Sequence, residues 1–84
     1  MKSVLRTRLG NQTRRVDSVI DGFTRLRSGE VLERWCDEHQ CWRNLVQILK
    51  LLAIAIAEDR FVKEVIDDTE NQHVLIIENT LIIL

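Results

Sequence analysis

Cys36, His39 and Cys41, set within Trp35-Cys36-Asp37-Glu38-His39-Gln40-Cys41-Trp42, are the residues whose types could hold a metal ion or supply a thiolate nucleophile. Their spacing argues against a metal. On a helix Cys36 and His39 share a face, but Cys41 lies five residues, about 140°, around from Cys36, and a closed zinc site would want a fourth ligand such as the distant His73. The expectation is no metal and no cofactor, with two buried thiols beside a core histidine. A disulfide inside a helix is disfavoured because the two Cα atoms would be held too far apart. Neither cysteine has a glycine-rich oxyanion loop beside it, and the chain carries no phosphate-cradling loop, paired-carboxylate motif or nucleotide fingerprint. The chain therefore reads as a non-enzyme. His39, between two tryptophans, reads as a satisfied core or interface histidine rather than a pH switch or general base.

The second constellation is basic. Residues 1–27 carry seven basic side chains against two acidic ones, a net of +5, while residues 28–84 carry five against eleven, a net of -6. Either the basic segment lies on the acidic one, within or between chains, or it offers a positive face to an acidic partner. The internal pairing is the first choice, because charge runs are more often solvated or self-paired faces. For the second choice the candidates are Lys2, Arg6, Arg8, Arg14 and Arg15. Lys2 to Leu9, then Gly10-Asn11, then an amphipathic stretch to Leu26, then Ser28 to Arg34, resembles the ribbon-helix-helix order of DNA-binding dimers over about half the chain. That resemblance implies a DNA-binding regulator in which Arg6 and Arg8 face the groove beside an inward Leu5. Against it stand an outward Val4, the helical phase of the first stretch and the slightly acidic whole.

The elements that would position these residues are organised around Leu45 to Ala57, in which only Gln47 and Lys50 are polar. The stretch is too short for a bilayer and, being rich in Ala and free of Gly and Pro, reads as a buried helix. Leu5, Leu9, Gln12, Val16, Val19, Phe23 and Leu26 fall at spacings of four and three, as do Leu32, Trp35, His39, Trp42, Val46, Leu49, Ala53 and Ile56. The spacing predicts heptad seams at about 4–26 and 30–57: a basic helix over 3–27, with an extended arm at 2–9 and an N-cap near Asn11 or Thr13 as its alternative, and a long central helix over 30–66, with a broken helix as its alternative. Asp21 and Arg25 would pair one turn apart, and Ser28-Gly29 would make the reversal between the helices.

A polar loop at Asp67 to Gln72 ends the central helix, and the β-branched runs over 73–84 read as a hairpin turning at Glu78-Asn79. With Ile77 opposite Thr80, Val74, Ile76, Leu81 and Ile83 face one side and Leu75, Ile77, Ile82 and Leu84 the other. One face should pack on the helix, and the other, or an open edge, should meet another chain. The expected fold is thus a single, mainly α domain over 1–84: an αα-hairpin plus a C-terminal β-hairpin, assembled as a homodimeric helical bundle.

The expected function is a small cytoplasmic adaptor or regulator that works through protein-protein association, with itself or with a larger partner held by the β-ribbon. Its interface candidates are Trp35, Trp42, Leu45, Leu49, Leu52, Ile56, Leu75, Ile77 and Ile82. A third reading takes these residues as a domain cut from a longer, partner-bound protein. Two closely spaced cysteines and no N-terminal apolar leader point to a reducing compartment, with no membrane partner.

Overall fold

The computed structural model describes residues 4–67 and 72–84, which form two compact units, Val4–Val46 and Gln47–Leu84. The first contains β1 (Leu5–Leu9), β2 (Gln12–Val16), α1 (Val19–Arg25), β3 (Val31–Cys36) and β4 (Cys41–Asn44). Its strands make an antiparallel sheet in the order β2-β1-β3-β4. Leu5 stands opposite Val16 and Arg34, and Thr7 opposite Arg14 and Leu32. Opposed residues share a face, so Leu5, Val16 and Leu32 lie together on one side, where they are buried with Val19 of α1. Gly22 lets α1 approach: a Cβ there would stand 2.8 Å from Leu32 Cδ1 and 3.3 Å from Val16 Cγ2.

The mainly α architecture is therefore corrected, since strands hold 47% and helices 25% of the described residues. An interval of four is even, so Leu5 and Leu9 share a face in a strand as well as in a helix. The interval of seven from Leu9 to Val16 spans a hairpin turn at Gly10-Asn11, where Gly10 takes φ 60°. The helix of 3–27 shrinks to α1, capped by Ser18, whose Oγ accepts from the Asp21 amide at 2.9 Å, rather than by Asn11 or Thr13. Asp21 and Arg25 do pair along it, at 3.2 Å. Gly29 turns the chain with φ 82°, into a strand. The order strand, strand, helix, strand is not that of a ribbon-helix-helix protein.

In the second unit α2 (Val46–Ala57) precedes β5 (Val62–Asp67), β6 (Gln72–Ile77) and β7 (Thr80–Ile83), an antiparallel sheet ordered β5-β6-β7. The first residue of α2 is the last of the preceding unit. Asn44 Oδ1 accepts from the Val46 amide at 2.9 Å. At the other end Asp59, with φ 55°, permits a Schellman closure in which the Arg60 amide donates to Ala55 O at 2.9 Å and the Asp59 amide to Ile56 O at 3.1 Å. The expected helix of 30–66 is thus helical only over α2, and two helices this short make no αα-hairpin and no helical bundle. Val62, Val65 and Ile66 keep helical intervals but are β-branched, and pairing with β6 decides their conformation. The hairpin of β6 and β7 sets Ile77 opposite Thr80, with a positive φ on Glu78 (51°). Residues 68–71 of the expected polar loop, and residues 2 and 3 of the expected arm, lie outside the described residues. Among the described residues no helix is long and apolar enough to cross a membrane.

Candidate functional site

Alternation along β1 sends Arg6 and Arg8 to the face opposite Leu5, and the register brings Arg15, Glu33, Trp35, Trp42 and Asn44 to that same face. Glu33 is its centre. Its carboxylate, with a side chain only 8% exposed, takes Arg8 Nε at 2.9 Å and Arg6 Nε at 3.2 Å through the same oxygen. The Arg6 guanidinium carbon lies 3.8 Å from the centroid of Trp42, a cation-π contact. Trp42 stands directly across from Trp35, with ring centroids 5.3 Å apart in an edge-to-face arrangement, and Trp35 Nε1 donates to Asp37 Oδ1 at 2.8 Å. The tryptophans, seven residues apart, meet across a hairpin and not along a helix.

The Arg8 hydrogen bond, opposed by burial and then supported by the charges of Arg6 and Arg8, holds the Glu33 carboxyl below the usual carboxylate range. The neighbouring Thr7 hydroxyl and the Arg27 amide, which donates to Glu30 Oε2 at 2.9 Å, do the same for Glu30. A carboxyl depressed in the folded state stabilises the fold at every pH above its unfolded value of about 4.3. That contribution is lost as pH falls from there through the folded value. Glu33→Gln is accordingly expected to lower stability by about 1–2 kcal/mol at pH 7, a charge-assisted bond discounted for the solvent around Arg8. It should also flatten the acid limb of a stability profile measured by urea unfolding between pH 3 and 7. A variant as stable as the parent at pH 7, with the same acid limb, would show that the Arg6-Glu33-Arg8 cluster carries none of the stability.

The residues considered for metal chemistry are displaced from their expected places. His39 sits exposed in the β3-β4 turn, not in a core, Cys41 is exposed and Cys36 half-buried. Cys36 and Cys41 are direct cross-strand partners, not helix residues splayed around an axis. Among the described residues no group of three or more His, Cys, Asp or Glu is gathered as for a metal. A groove of about 440 Å³ lies between Leu9, Gln12, Arg14, Arg27 and Glu30, where Arg14 reaches Glu30 at 3.4 Å and Arg27 approaches it at 4.0 Å.

The interface candidates separate by position. Leu45, Leu52, Leu75 and Ile77 are buried within the chain, Trp35, Trp42, Leu49 and Ile82 are half-buried, and Ile56 is exposed. Of the basic candidates, Arg6, Arg8 and Arg15 share the tryptophan face, Arg14 points to the other face of the sheet, and Lys2 lies outside the described residues. Sequence reasoning missed Glu33 as the organiser of the arginines. The signal was present in the alternation Leu5-Arg6-Thr7-Arg8-Leu9, which is a strand pattern with a charged side.

In the second unit, Glu64 and His73 meet through Oε2 and Nε2 on the buried face of β5-β6-β7, with side chains 7% and 1% exposed. The opposite face carries Val65, Val74, Ile76, Leu81 and Ile83 together with Lys63, Asp67 and Gln72; Val74 is buried, while Leu81 is 60% and Ile83 71% exposed. No family model, curated protein or solved structure matches this chain.

Proposed function

We propose that this protein is a small cytoplasmic association module that acts by binding and not by catalysis, and that the open face of β5-β6-β7 takes the same face of a second copy. The observation that carries the reading is the apolar cluster of Val65, Ile76, Leu81 and Ile83, interrupted only by Lys63 across from Ile76, on a sheet whose outer strands, β5 and β7, have no further strand beside them among the described residues. Such a face is an interaction surface or an aggregation liability. Two free thiols fit a reducing compartment.

Magnitudes indicate a reversible complex. Three strands about 4.8 Å apart and up to six residues long present roughly 250–300 Å² of face, against about 800 Å² per partner in a standard interface. Phe61, 64% exposed beside β5, adds apolar area. Light scattering from micromolar to near-millimolar protein should show mass rising toward that of a dimer. Ile83→Asp, at a position with little burial to lose in the monomer, should weaken the association at least tenfold, because a carboxylate must be desolvated at the contact. A parent chain that stays monomeric over the whole range would overturn the reading.

A further inference from the structure

Within Val4–Val46 there are eight arginines and no lysine, against six acidic residues. That choice matters chemically. A guanidinium is planar, grips phosphate with two parallel N–H groups and stacks on π-surfaces, whereas an ammonium is a point charge. On the face opposite α1, Arg6, Arg8 and Arg15 with Glu33 leave a net of +2. Glu33 engages both Arg6 and Arg8 through Nε alone, so it fixes the two side chains while their terminal amino groups take no partner among the described residues. Arg15, across from Arg6, is exposed and makes no ion pair among the described residues. Beside them stand Trp35 and Trp42, both half-buried, with the Arg6 guanidinium over Trp42.

We infer that this four-strand face binds single-stranded nucleic acid, with phosphates on Arg8 and Arg15 and unpaired bases on the π-surfaces of Trp35, Trp42 and the Arg6 guanidinium. Positive charge alone would suit any polyanion. The aromatic pair next to the fixed arginines favours a ligand that carries phosphates and free base planes together. A duplex fits poorly, because its bases are stacked away and its major groove admits a helix or a two-stranded ribbon rather than the face of a wider sheet. The inference is independent of self-association, which uses the other unit.

The test uses the full chain with labelled oligouridylate and oligodeoxythymidylate of about a dozen nucleotides, a duplex of equal length and polyglutamate as an acidic polypeptide. Anisotropy and tryptophan fluorescence are read at several salt concentrations. Both single strands, or one of them if the 2′-hydroxyl is read, should bind at low salt with tryptophan quenching and release as salt rises. Trp42→Ala should weaken binding by about 5- to 150-fold. Should that variant lose its fold, Arg8→Gln/Arg15→Gln keeps the test open. Removing two phosphate contacts should reduce the slope of log affinity against log salt by about 1.4. No binding at low salt overturns the inference. Equal binding of duplex or polyglutamate with an unmoved tryptophan signal also overturns it, and assigns the face to general anion attraction.

Discussion

Leu32→Ala is expected to cost about 2–5 kcal/mol, enough to unfold Val4–Val46 at room temperature. Leu32 is fully buried on β3, opposite Thr7, and its Cδ1 is the atom against which Gly22 brings α1 down. Truncation removes three heavy atoms from the contact between helix and sheet, and a unit this small has little other core from which to refill the gap. Both tryptophans of the chain are in β3 and β4, so loss of the sheet should move their emission to the red and abolish the near-UV dichroism of the Trp35-Trp42 pair. An unchanged urea midpoint followed by tryptophan emission would mean that α1 on the sheet is not what holds this unit together.

His73→Leu should be comparably damaging to the second unit, by about 3–5 kcal/mol, although it replaces a polar residue with an apolar one in a buried place. His73 Nε2 faces Glu64 Oε2 on the covered side of β5 and β6, with Leu75 and Ile77 buried on the same side. Taking away the imidazole removes one partner of the buried Glu64 carboxyl, and the loss of that polar contact in a buried site outweighs the gain in apolar area. The double variant Glu64→Leu/His73→Leu removes both polar groups and should recover part of the loss. Urea unfolding followed at 222 nm, where α2 contributes, gives the three comparisons needed for a coupling energy. If the double variant is no better than His73→Leu alone, the cost lies in the shape of the imidazole and not in its pairing with Glu64.

Much of the second unit could be read from residue order. Leu45 to Ala57 contains α2 because an Ala-rich apolar run without Gly or Pro has few alternatives, and Asn44 supplies its cap. The β6-β7 register followed from β-branched runs around a two-residue turn, since period 2 assigns each side chain to a face once one pair is set. Asp21-Arg25 and the reversal at Gly29 were likewise local events, decided within four residues.

Only tertiary structure decided that residues 4–44 build a sheet. Intervals of four serve either period, intervals of seven can run along a helix or across a hairpin, and nothing local separates these while the partner strand is unknown. Pairing between β1 and β3, 27 residues apart in the Arg6-Glu33 contact, converts an apparent seam into alternate faces. It turns Trp35 and Trp42 into opposed neighbours, moves His39 from a core into a turn, and gives two arginines their shared carboxylate. Composition determined that the N-terminal half is rich in arginine and the C-terminal half in aliphatic residues. Which of those side chains stand on one surface is a matter of long-range register, because it depends on hydrogen bonds between segments whose sequences carry no mark of each other.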